Sequence, residues 1–284
     1  MSHQQTSRPV LDHIVILVPA SFLTAPPSWL AESFHFSPGG RHANGVTENV
    51  LVLLPDGSYI EFIAFVAGTT PEERRGHKWG RYEDGTIVDW ALTVDAPGGP
   101  DMDRDYAFVD GITTHLRQSG AGIVYGDRIP GGRLRPDGVK LEWATVPARS
   151  AAGEGDAPDH GQVPFWCLDG SPRDLRVPYQ SVNDETHPSG VVGVAEISIT
   201  PSAGVGSSSD VRQVYAEVLQ GPREGPWKLA ALESDESHRD VIVSVSTTAP
   251  PGLISVSLFT KRPDLAGKVL GGAGGAFQFK FVGI

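Results

Sequence analysis

The sequence predicts an α+β fold in which tandem βαβββ modules form a curved mixed sheet around a cleft. Short segments of alternating apolar and polar residues, typical of strands with one buried face, follow one another between clusters of turn residues. The order of one strand, one helix and three strands then recurs further along the chain, which indicates an internal repeat. A looser third repetition predicts a more divergent βα-plus-strands unit at the C-terminus.

The first module is predicted over residues 10–66. It begins with an apolar strand at 10–18, and a pair of prolines opens a helix around 28–34. Three strands follow the helix, near residues 36–42, 47–54 and 58–65. A Pro-Asp-Gly turn at 55–57 joins the last two of them.

The second module is predicted over residues 86–178 and the divergent third unit over residues 190–284. The second module has the helical segment FVDGITTHLRQSG, and its strands are IVDWALTV, AGIVYGDRI, VKLEWATV and VPFWCLDG. Between the last two strands, the segment SAAGEGDAPDHGQ is rich in small and acidic residues, which predicts an exposed and mobile loop.

Composition restricts the class of partner. The chain has 284 residues, of which 39% are hydrophobic, and it carries 23 Lys and Arg against 34 Asp and Glu. The net charge of −11 argues against binding to nucleic acid or to an anionic membrane, so we expect a small-molecule ligand or substrate. The polar N-terminus and the lack of an apolar run of roughly 18 residues predict a cytoplasmic protein. For the oligomeric state, both a monomer and a homodimer are compatible with the sequence.

Two further features concern cofactors and redox chemistry. The chain contains no GxxxxGK[ST], GxGxxG, GxSxG, HExxH or CxxC motif, so we expect no nucleotide cofactor. The single cysteine, Cys167, lies in an apolar segment and has no partner for a disulfide within the chain. We interpret it as a buried, inert thiol in a reducing compartment.

The strongest functional indication is a cluster of polar residues in the first module. His13 lies in the first apolar strand, and Glu61 lies between Ile60 and Phe62 in another. A carboxylate in that position is costly unless it is paired, binds a metal or faces a wet cleft. Together, His13, His42 and Glu61 offer two imidazoles and one carboxylate, a set that binds divalent metals. Alternatively, His13 is a structural histidine of the core, and His42 is an exposed histidine of a turn.

Further residues are candidates for substrate binding. Asparagine amides can donate to a substrate carbonyl, although asparagine is also common in turns. Tryptophans can form the walls of a cleft for a planar ligand, although core packing explains them equally well. Arginines can bind an anionic group, with a solvated loop as the alternative. The candidates are Asn44, Asn49, Trp90, Glu142, Trp143, Trp166, Arg133 and Arg135.

Several segments resemble the glyoxalase-like branch of the vicinal oxygen chelate superfamily, which includes glyoxalases, extradiol dioxygenases and bleomycin-resistance proteins. The resemblance implies that two modules wrap a cleft and that metal ligands come from the first and last strands of each module. His13 and Glu61 match the two positions of the first module. Trp90, and Phe165 or Trp166, match those of the second module, where neither position offers a ligand. The segments are LDHIVILVP, GGRHANGVTEN, GSYIEFIAF, DWALTV, VPFWCLDGSPRDLRVP and HPSGVVGVAEISIT.

Two hypotheses for function follow. The first is a glyoxalase-like enzyme, of the lyase or isomerase type or an oxygenase, acting on a small carbonyl-containing or aromatic metabolite. It would work by proton transfer, isomerisation, elimination or ring opening. His13, Glu61 and His42 would hold one divalent ion (Zn, Fe, Mn or Ni) or act without metal as acid and base. The second hypothesis is a metal-free protein of the same fold that binds or sequesters a small molecule.

Overall fold

The computed structural model describes residues 7–135, 137–153, 158–202, 208–233, 239–271 and 277–284. Within these ranges the strands form an eight-stranded sheet, a six-stranded sheet and a small two-stranded sheet. The architecture confirms the predicted α+β fold with a curved mixed sheet and a further sheet at the C-terminus. Residues 154–157, at the centre of the predicted acidic loop, lie outside the described part of the chain.

The first part of the chain follows the predicted order, except that two short helices replace the one expected around 28–34. Each begins directly after a proline, Pro19 or Pro27. The pair Pro26 and Pro27 separates the two helices, because proline has no backbone N–H to donate. The elements are β1 (Arg8–Leu17), α1 (Ala20–Thr24), α2 (Ser28–Ala31), β2 (Ser37–Arg41), β3 (Thr47–Leu53), β4 (Tyr59–Phe65) and α3 (Pro71–Gly76).

The middle part contains more strands than predicted. The segment predicted as the single strand AGIVYGDRI is two strands, and the Gly-Gly-Arg-Leu segment expected in a loop is part of the second one. A short 3-10 helix, Tyr179–Ser181, ends this part of the chain. The other elements are β5 (Thr86–Asp95), α4 (Met102–Gln118), β6 (Ile123–Tyr125), β7 (Ile129–Leu134), β8 (Lys140–Val146), β9 (Ala148–Ser150), β10 (Phe165–Asp169) and α5 (Arg173–Arg176).

The eight-stranded sheet has an internal pseudo-symmetry. Its strand order is β2-β3-β4-β1-β5-β10-β8-β7, so the two modules meet where β1 and β5 pair antiparallel. On either side of that junction the first strand of a module pairs parallel with its last strand, β1 with β4 and β5 with β10. Strands β6 and β9 form a separate two-stranded sheet within the part of the chain that the structure describes.

The C-terminal part repeats this pattern more regularly than the sequence indicated. In its sheet β11 pairs parallel with β13 and antiparallel with β14, and β14 pairs parallel with β16. This topology supports our proposed division into units at 10–66, 86–178 and 190–284. The elements are β11 (Val191–Ile199), α6 (Ser208–Val218), β12 (Trp227–Leu229), β13 (Val241–Val245), β14 (Ile254–Thr260), β15 (Val269–Gly271) and β16 (Gln278–Gly283).

One hydrophobic core joins the two large sheets. On β4, the alternation of side chains directs Ile60 and Phe62 into this core, whereas Tyr59 and Glu61 point to the opposite face. Helix α4 packs against α6 and β10 and contributes buried residues such as Leu116 to the same core. Within the described ranges, no helix is both long and apolar enough to span a membrane.

The turn between β3 and β4 fastens the first module to the C-terminal sheet. The Asp56 side chain accepts hydrogen bonds from the backbone N–H of Ser58, at 2.9 Å, and of Val194, at 3.0 Å. Its own N–H donates to the carbonyl of Val192 at 3.1 Å. Gly57 has φ of 86°, a conformation that favours glycine. The predicted Pro-Asp-Gly turn therefore also docks one sheet on the other.

Candidate active site

A cavity of about 200 Å³ lies on the face of the eight-stranded sheet opposite to the core. The first module contributes β1, β3 and β4 to its walls, and the second contributes β7, β8 and β10. The segment just before β5 covers one side with Lys78 and Trp79. Both modules therefore build a single cleft, as the sequence predicted.

Glu61 lies inside this cavity and is only 6% exposed. Its Oε1 accepts a hydrogen bond from Nδ2 of Asn49 at 2.5 Å and lies 3.6 Å from Nε2 of His42. Its Oε2 lies 3.7 Å from Nε2 of His13. The two imidazoles therefore approach different oxygens of one carboxylate. Asn49 is itself held by the N–H of Gly40, which donates to its Oδ1 at 2.9 Å.

His13 owes its orientation to a β-bulge in β1. Across the β1–β5 junction Leu11 pairs with Leu92 and His13 pairs with Ala91, so Asp12 is the extra residue. The bulge brings Oδ1 of Asp12 to 2.5 Å from Nδ1 of His13. The imidazole is also stacked on the ring of Tyr59, with 4.6 Å between centroids. Its Nε2 is left facing Glu61.

Asp12 belongs to a buried cluster of two carboxylates and two guanidinium groups. Arg173 and Arg176 both bind Asp12 and Asp169, and Nη1 of Arg176 also donates to the hydroxyl of Tyr59 at 2.8 Å. Burial opposes ionisation of Asp12, but the two arginines more than offset it and hold the pKa of this carboxyl well below its usual value. Asp12 is therefore a permanent anion behind His13.

His42 is held in the cavity by Thr47. Its Nδ1 lies 2.8 Å from the Oγ1 of Thr47, and its ring meets the indole of Trp143 edge to face at 6.2 Å. Burial lowers the pKa of His42, although Glu61 acts in the opposite direction. His42 is therefore largely a neutral imidazole at pH 7, and its Nε2 lies 3.4 Å from Nδ2 of Asn49 and 3.6 Å from Oε1 of Glu61.

Two basic side chains complete the walls of the cavity. The Nζ of Lys78 lies over the rings of Trp79 and Phe165, at 4.0 and 4.6 Å from their centroids. Arg133, on β7, donates through Nη1 to the carbonyl of Gly39. Desolvation lowers the pKa of both basic groups, although nearby anionic groups oppose that change.

The comparisons with known proteins agree with this fold. A model of the glyoxalase-like domain matches residues 11–219, well over half of the chain. The chain belongs to the glyoxalase-like domain family. This confirms the predicted relationship to the vicinal oxygen chelate superfamily. No curated relative matches significantly.

The solved structures to which this chain is similar have very different sequences. A hypothetical protein from Staphylococcus aureus is 11% identical, with a TM-score of 0.60 over 97% of this chain and 100% of that chain. The Mn(II)-bound glyoxalase from Novosphingobium aromaticivorans is 13% identical, with a TM-score of 0.47 over 98% and 83%. The 2,2',3-trihydroxybiphenyl 1,2-dioxygenase from Sphingomonas wittichii is also 13% identical, with a TM-score of 0.42 over 98% and 91%.

The pseudo-symmetry of this glyoxalase-like fold corrects the sequence alignment of the second module. The first strand of each module has one bulge, at Asp12 in β1 and at Val88 in β5, so Asp89, and not Trp90, is the counterpart of His13. Ala91, the counterpart of Val15, pairs with Phe165 on β10 as Val15 pairs with Glu61 on β4. Phe165, one of the two predicted alternatives, is therefore the counterpart of Glu61, and Trp166 is not. A shift of one residue along a strand exchanges its two faces, which explains the error.

The structure brings most of the predicted first-module residues together but separates several others. His13, His42, Asn49, Glu61, Arg133 and Trp143 line the cavity, and Asn44 lies exposed at its edge, where its Oδ1 accepts from the N–H of Val46 in a turn. Four predicted residues do not reach it: Trp90, Trp166, Glu142 and Arg135.

Each of these four has another environment. The indole of Trp90 donates to the carbonyl of Gly161 at 3.0 Å within the core, and Trp166 is fully buried there. Glu142 is exposed on the outer face and forms an ion pair with Lys140 at 2.5 Å. Arg135 binds Asp137 at 2.7 Å. Side-chain alternation along β5, β8 and β10 accounts for the first three.

Several residues of the site were missed in the sequence. Lys78 and Trp79 belong to a segment that reads as a polar linker, although a tryptophan between charged residues is a recognisable signal. Asp12 was visible only as the neighbour of His13. Arg173 and Arg176 lie in a segment that carried the family resemblance, but nothing in their spacing indicates that they meet Asp12 across the sheet.

Two groups of side chains can be tested for metal binding by their chemistry. Ligand atoms of Asp12, His13 and Cys167 lie within 4.8 Å of one another. This group does not fit a metal, because two arginines already bind Asp12 and burial raises the pKa of the Cys167 thiol. Metal ligation by cysteine needs the thiolate.

The set of His13, His42 and Glu61 has more suitable ligand chemistry, although its three ligand atoms do not all lie within 4.8 Å of one another, so the side chains would have to move closer around an ion. Both imidazoles have Nδ1 bound to a neighbouring oxygen, of Asp12 or Thr47, and direct Nε2 towards the carboxylate. A second hydrogen bond on the far nitrogen is typical of metal-binding histidines. The N–O separations of 3.6 and 3.7 Å are slightly wider than the ~3.0–3.4 Å between ligand atoms around an ion with bonds of about 2.1 Å.

Proposed function

We propose that this protein is an enzyme that moves a proton on a small carbonyl-containing or aromatic metabolite, with Glu61 as the proton acceptor. The reaction class is isomerisation or elimination, with oxygen-dependent ring opening as the variant that would need a redox-active metal. The observation that carries the proposal is the position of Glu61, a 6% exposed carboxylate that faces a cavity and two imidazoles.

The surroundings of Glu61 support a chemical role. A carboxylate removed from water is costly, and a structural carboxylate is normally neutralised by arginine or lysine, as Asp12 is here. Glu61 instead has Asn49 and two histidines within 3.7 Å. Such a group can accept a proton from a carbon acid, and without a bound ion it can pass the proton to His13 or His42. His42, neutral at pH 7, is suited to receive it.

A single divalent ion held by His13, His42 and Glu61 is part of the proposal. When bound, such an ion would polarise a substrate carbonyl and stabilise the oxyanion that forms when a neighbouring C–H loses its proton. The chain contributes the orientation of the ligands, through Asp12 on His13 and Thr47 on His42. Asn49 fixes the Glu61 carboxylate and donates to it.

A binding protein without metal is the second candidate. It is favoured by the second module, where Phe165 stands at the position equivalent to Glu61, and where Asp89, the counterpart of His13, is already bound by the indole of Trp79. The cavity would then hold its ligand through Trp143, Phe165 and the basic side chains. In that case replacement of Glu61 by glutamine would leave ligand binding almost unchanged.

Hydrogen exchange at carbon tests the proposal even while the product is unidentified. We would incubate the protein in deuterium oxide with pyruvate, 2-oxobutyrate, hydroxyacetone or phenylpyruvate and follow the C–H signals by proton NMR. Protein loaded with Mn²⁺ or Zn²⁺ would be compared with protein dialysed against a chelator. We expect exchange on at least one compound, reduced at least about 100-fold in Glu61→Gln.

The matched control is Glu142→Gln, which removes an exposed carboxylate that is paired with Lys140 outside the cavity. It should exchange at the rate of the unmodified protein. Exchange that proceeds equally in Glu61→Gln, or that stays at the buffer rate with all four compounds, would contradict the proposed role of Glu61. Loss of exchange after chelation, restored by one ion per chain, would support the metal-assisted form.

A further inference from the structure

Two basic side chains face the cavity without an acidic partner. Among the residues that the structure describes, no carboxylate oxygen lies within the 4.0 Å salt-bridge distance of Lys78 or Arg133. Lys78 contacts the faces of Trp79 and Phe165. Arg133 donates only to neutral carbonyls, those of Gly39 and Arg176.

The charge inside the cavity is therefore opposite in sign to the charge of the whole chain. Arg176 also reaches the cavity, but with Arg173 it is balanced by Asp12 and Asp169. What remains on the cavity wall is two basic groups against the single carboxylate of Glu61. Asp89 also acts on Lys78, but it lies outside this wall and is bound by the indole of Trp79, with His160 at 3.3 Å. In a chain with a net charge of −11, an excess of positive charge in one cleft is a site for an anion.

Arg133 is half-buried, which is unfavourable for a charged group without a partner, whereas Lys78 stays exposed beside the rings of Trp79 and Phe165. Desolvation is the largest influence on the pKa of each and lowers it. An anionic ligand would supply the missing partner and displace water from a cavity already lined by aromatic rings. Lys78 lies at the mouth and Arg133 on β7, so such a ligand would be held from two separate elements.

We propose that the ligand of this cavity is a small carboxylic acid, bound through its carboxylate by Lys78 and Arg133. This inference rests on the proposed function and deepens it, because it identifies the substrate as an acid with its reactive carbon near Glu61. A cavity of about 200 Å³ is smaller than the roughly 300–1,000 Å³ typical of sites for drug-sized ligands, which limits the acid to a few carbons or one ring.

Pairs of acids and isosteric amides test the inference directly. We would measure binding of pyruvate against pyruvamide, and of benzoate against benzamide, by isothermal titration calorimetry at constant ionic strength and pH 7. Each acid should bind at least about tenfold more tightly than its amide, because only the acid forms charge-assisted hydrogen bonds. Binding of the acid should weaken with added KCl, and binding of the amide should not.

Variants locate the carboxylate site. Lys78→Met and Arg133→Gln should each weaken binding of the acid at least about tenfold and leave the amide unchanged, whereas Lys78→Arg should restore most of the affinity. Lys140→Met and Arg135→Gln are the matched controls, since both residues are paired outside the cavity, with Glu142 and Asp137. Thermal unfolding would verify that each variant is folded.

The outcomes separate this inference from the proposed function. Glu61→Gln should bind the acids at least as tightly as the unmodified protein, because it removes a like charge, even though it should lose hydrogen exchange. Equal affinity for acid and amide, no binding of either acid, or unchanged acid binding in Lys78→Met and Arg133→Gln would overturn the carboxylate site. Retained exchange in Glu61→Gln with acid-selective binding would overturn only the proposed role of Glu61.

Discussion

The orientation and hydrogen bonding of His13 depend on the preceding residue, Asp12. Two consecutive residues of a regular strand point to opposite faces, and the bulge at Asp12 removes that restriction. The Asp12 carboxylate accepts a hydrogen bond from Nδ1 of His13, so Nε2 is the nitrogen that faces Glu61. Two arginines keep Asp12 anionic, so Asp12 can only accept a hydrogen bond and favours a proton on Nδ1 of His13.

The tautomer can be measured by correlating imidazole nitrogen and carbon-bound proton signals in NMR spectra. We expect His13 to carry its proton on Nδ1. In Asp12→Asn the amide can donate to Nδ1, so the proton of His13 should move to Nε2. His187 provides an internal reference of the opposite tautomer, because its Nδ1 accepts from the N–H of His35 at 3.1 Å and its Nε2 bonds to the carbonyl of Leu53 at 2.8 Å.

The prediction is wrong if His13 in the unmodified protein shows the same pattern as His187. Asp12→Asn also leaves Arg173 and Arg176 with one acidic partner fewer. We expect it to cost about 3–5 kcal/mol of unfolding free energy, the usual result of breaking a buried ion pair. The spectrum should therefore be recorded well below the unfolding temperature of the variant.

At the scale of elements, strands β7 and β8 shape the cavity wall through a close approach. Gly131 pairs with Trp143 across the two strands, and a Cβ at Gly131 would overlap the indole ring of Trp143. That indole forms part of the wall and contacts His42 edge to face. Glycine is required at position 131 because the indole of Trp143 leaves no room for a Cβ there.

Two glycine-to-alanine variants of opposite sign test this packing. Gly131→Ala should displace Trp143, lower the unfolding free energy by about 1–3 kcal/mol and weaken binding of benzoate. Gly111→Ala lies inside helix α4, where the new methyl group meets open space, and should raise stability by about 0.5–1 kcal/mol without affecting benzoate. Chemical denaturation and calorimetry measure both effects. An unchanged benzoate affinity in Gly131→Ala would remove Trp143 from the binding wall.

Elements also account for what the sequence predicted and what it did not. Apolar segments and turn residues predicted the strands of the first module to within a few residues, because turn residues bound each segment, although β1 and β4 are buried on both faces. Strand β7 was missed since it is half-buried and contains two glycines directly after Pro130. The segment before β5 was read as a linker because its contacts to the cavity are made by only a few residues, among them Lys78 and Trp79.

At the scale of the whole molecule, the two modules contribute different kinds of side chain to the cleft. The first supplies the polar groups around Glu61, and the second supplies aromatic and basic groups such as Trp143, Phe165 and Arg133. The C-terminal sheet packs on the opposite face and is tied to the first module by Asp56. A pseudo-symmetric fold thus carries an asymmetric site.

Acid should destabilise the folded molecule through its buried histidines. Burial lowers the pKa of His77 from 6.5 to about 4, and it also lowers the pKa of His42 and His187. Below pH 6.5 the unfolded chain takes up protons that the folded chain does not, so the free energy of unfolding falls as the pH decreases. For His77 this loss extends from about pH 6.5 to about pH 4.

Urea denaturation at several pH values between 4 and 7.5 measures this dependence. His77→Gln should show a shallower loss of stability over that range, because one of the groups that titrates only in the unfolded chain is gone. The control His115→Gln, an exposed position near the end of α4, should keep the original slope. Equal slopes for all three proteins would show that His77 does not titrate as expected.

The sequence by itself determined the repeated modules, the curved sheet and the pairing of His13 with Glu61, because these depend on local periodicity and on the order of elements. Only the tertiary structure decided that Asp89 occupies the position equivalent to His13, and that Lys78 reaches the cavity. The physical reason is that side chains alternate with a period of two, so an uncertainty of one residue exchanges the core with the cleft. Contacts between distant segments, such as Arg173 with Asp12, have no counterpart in local spacing.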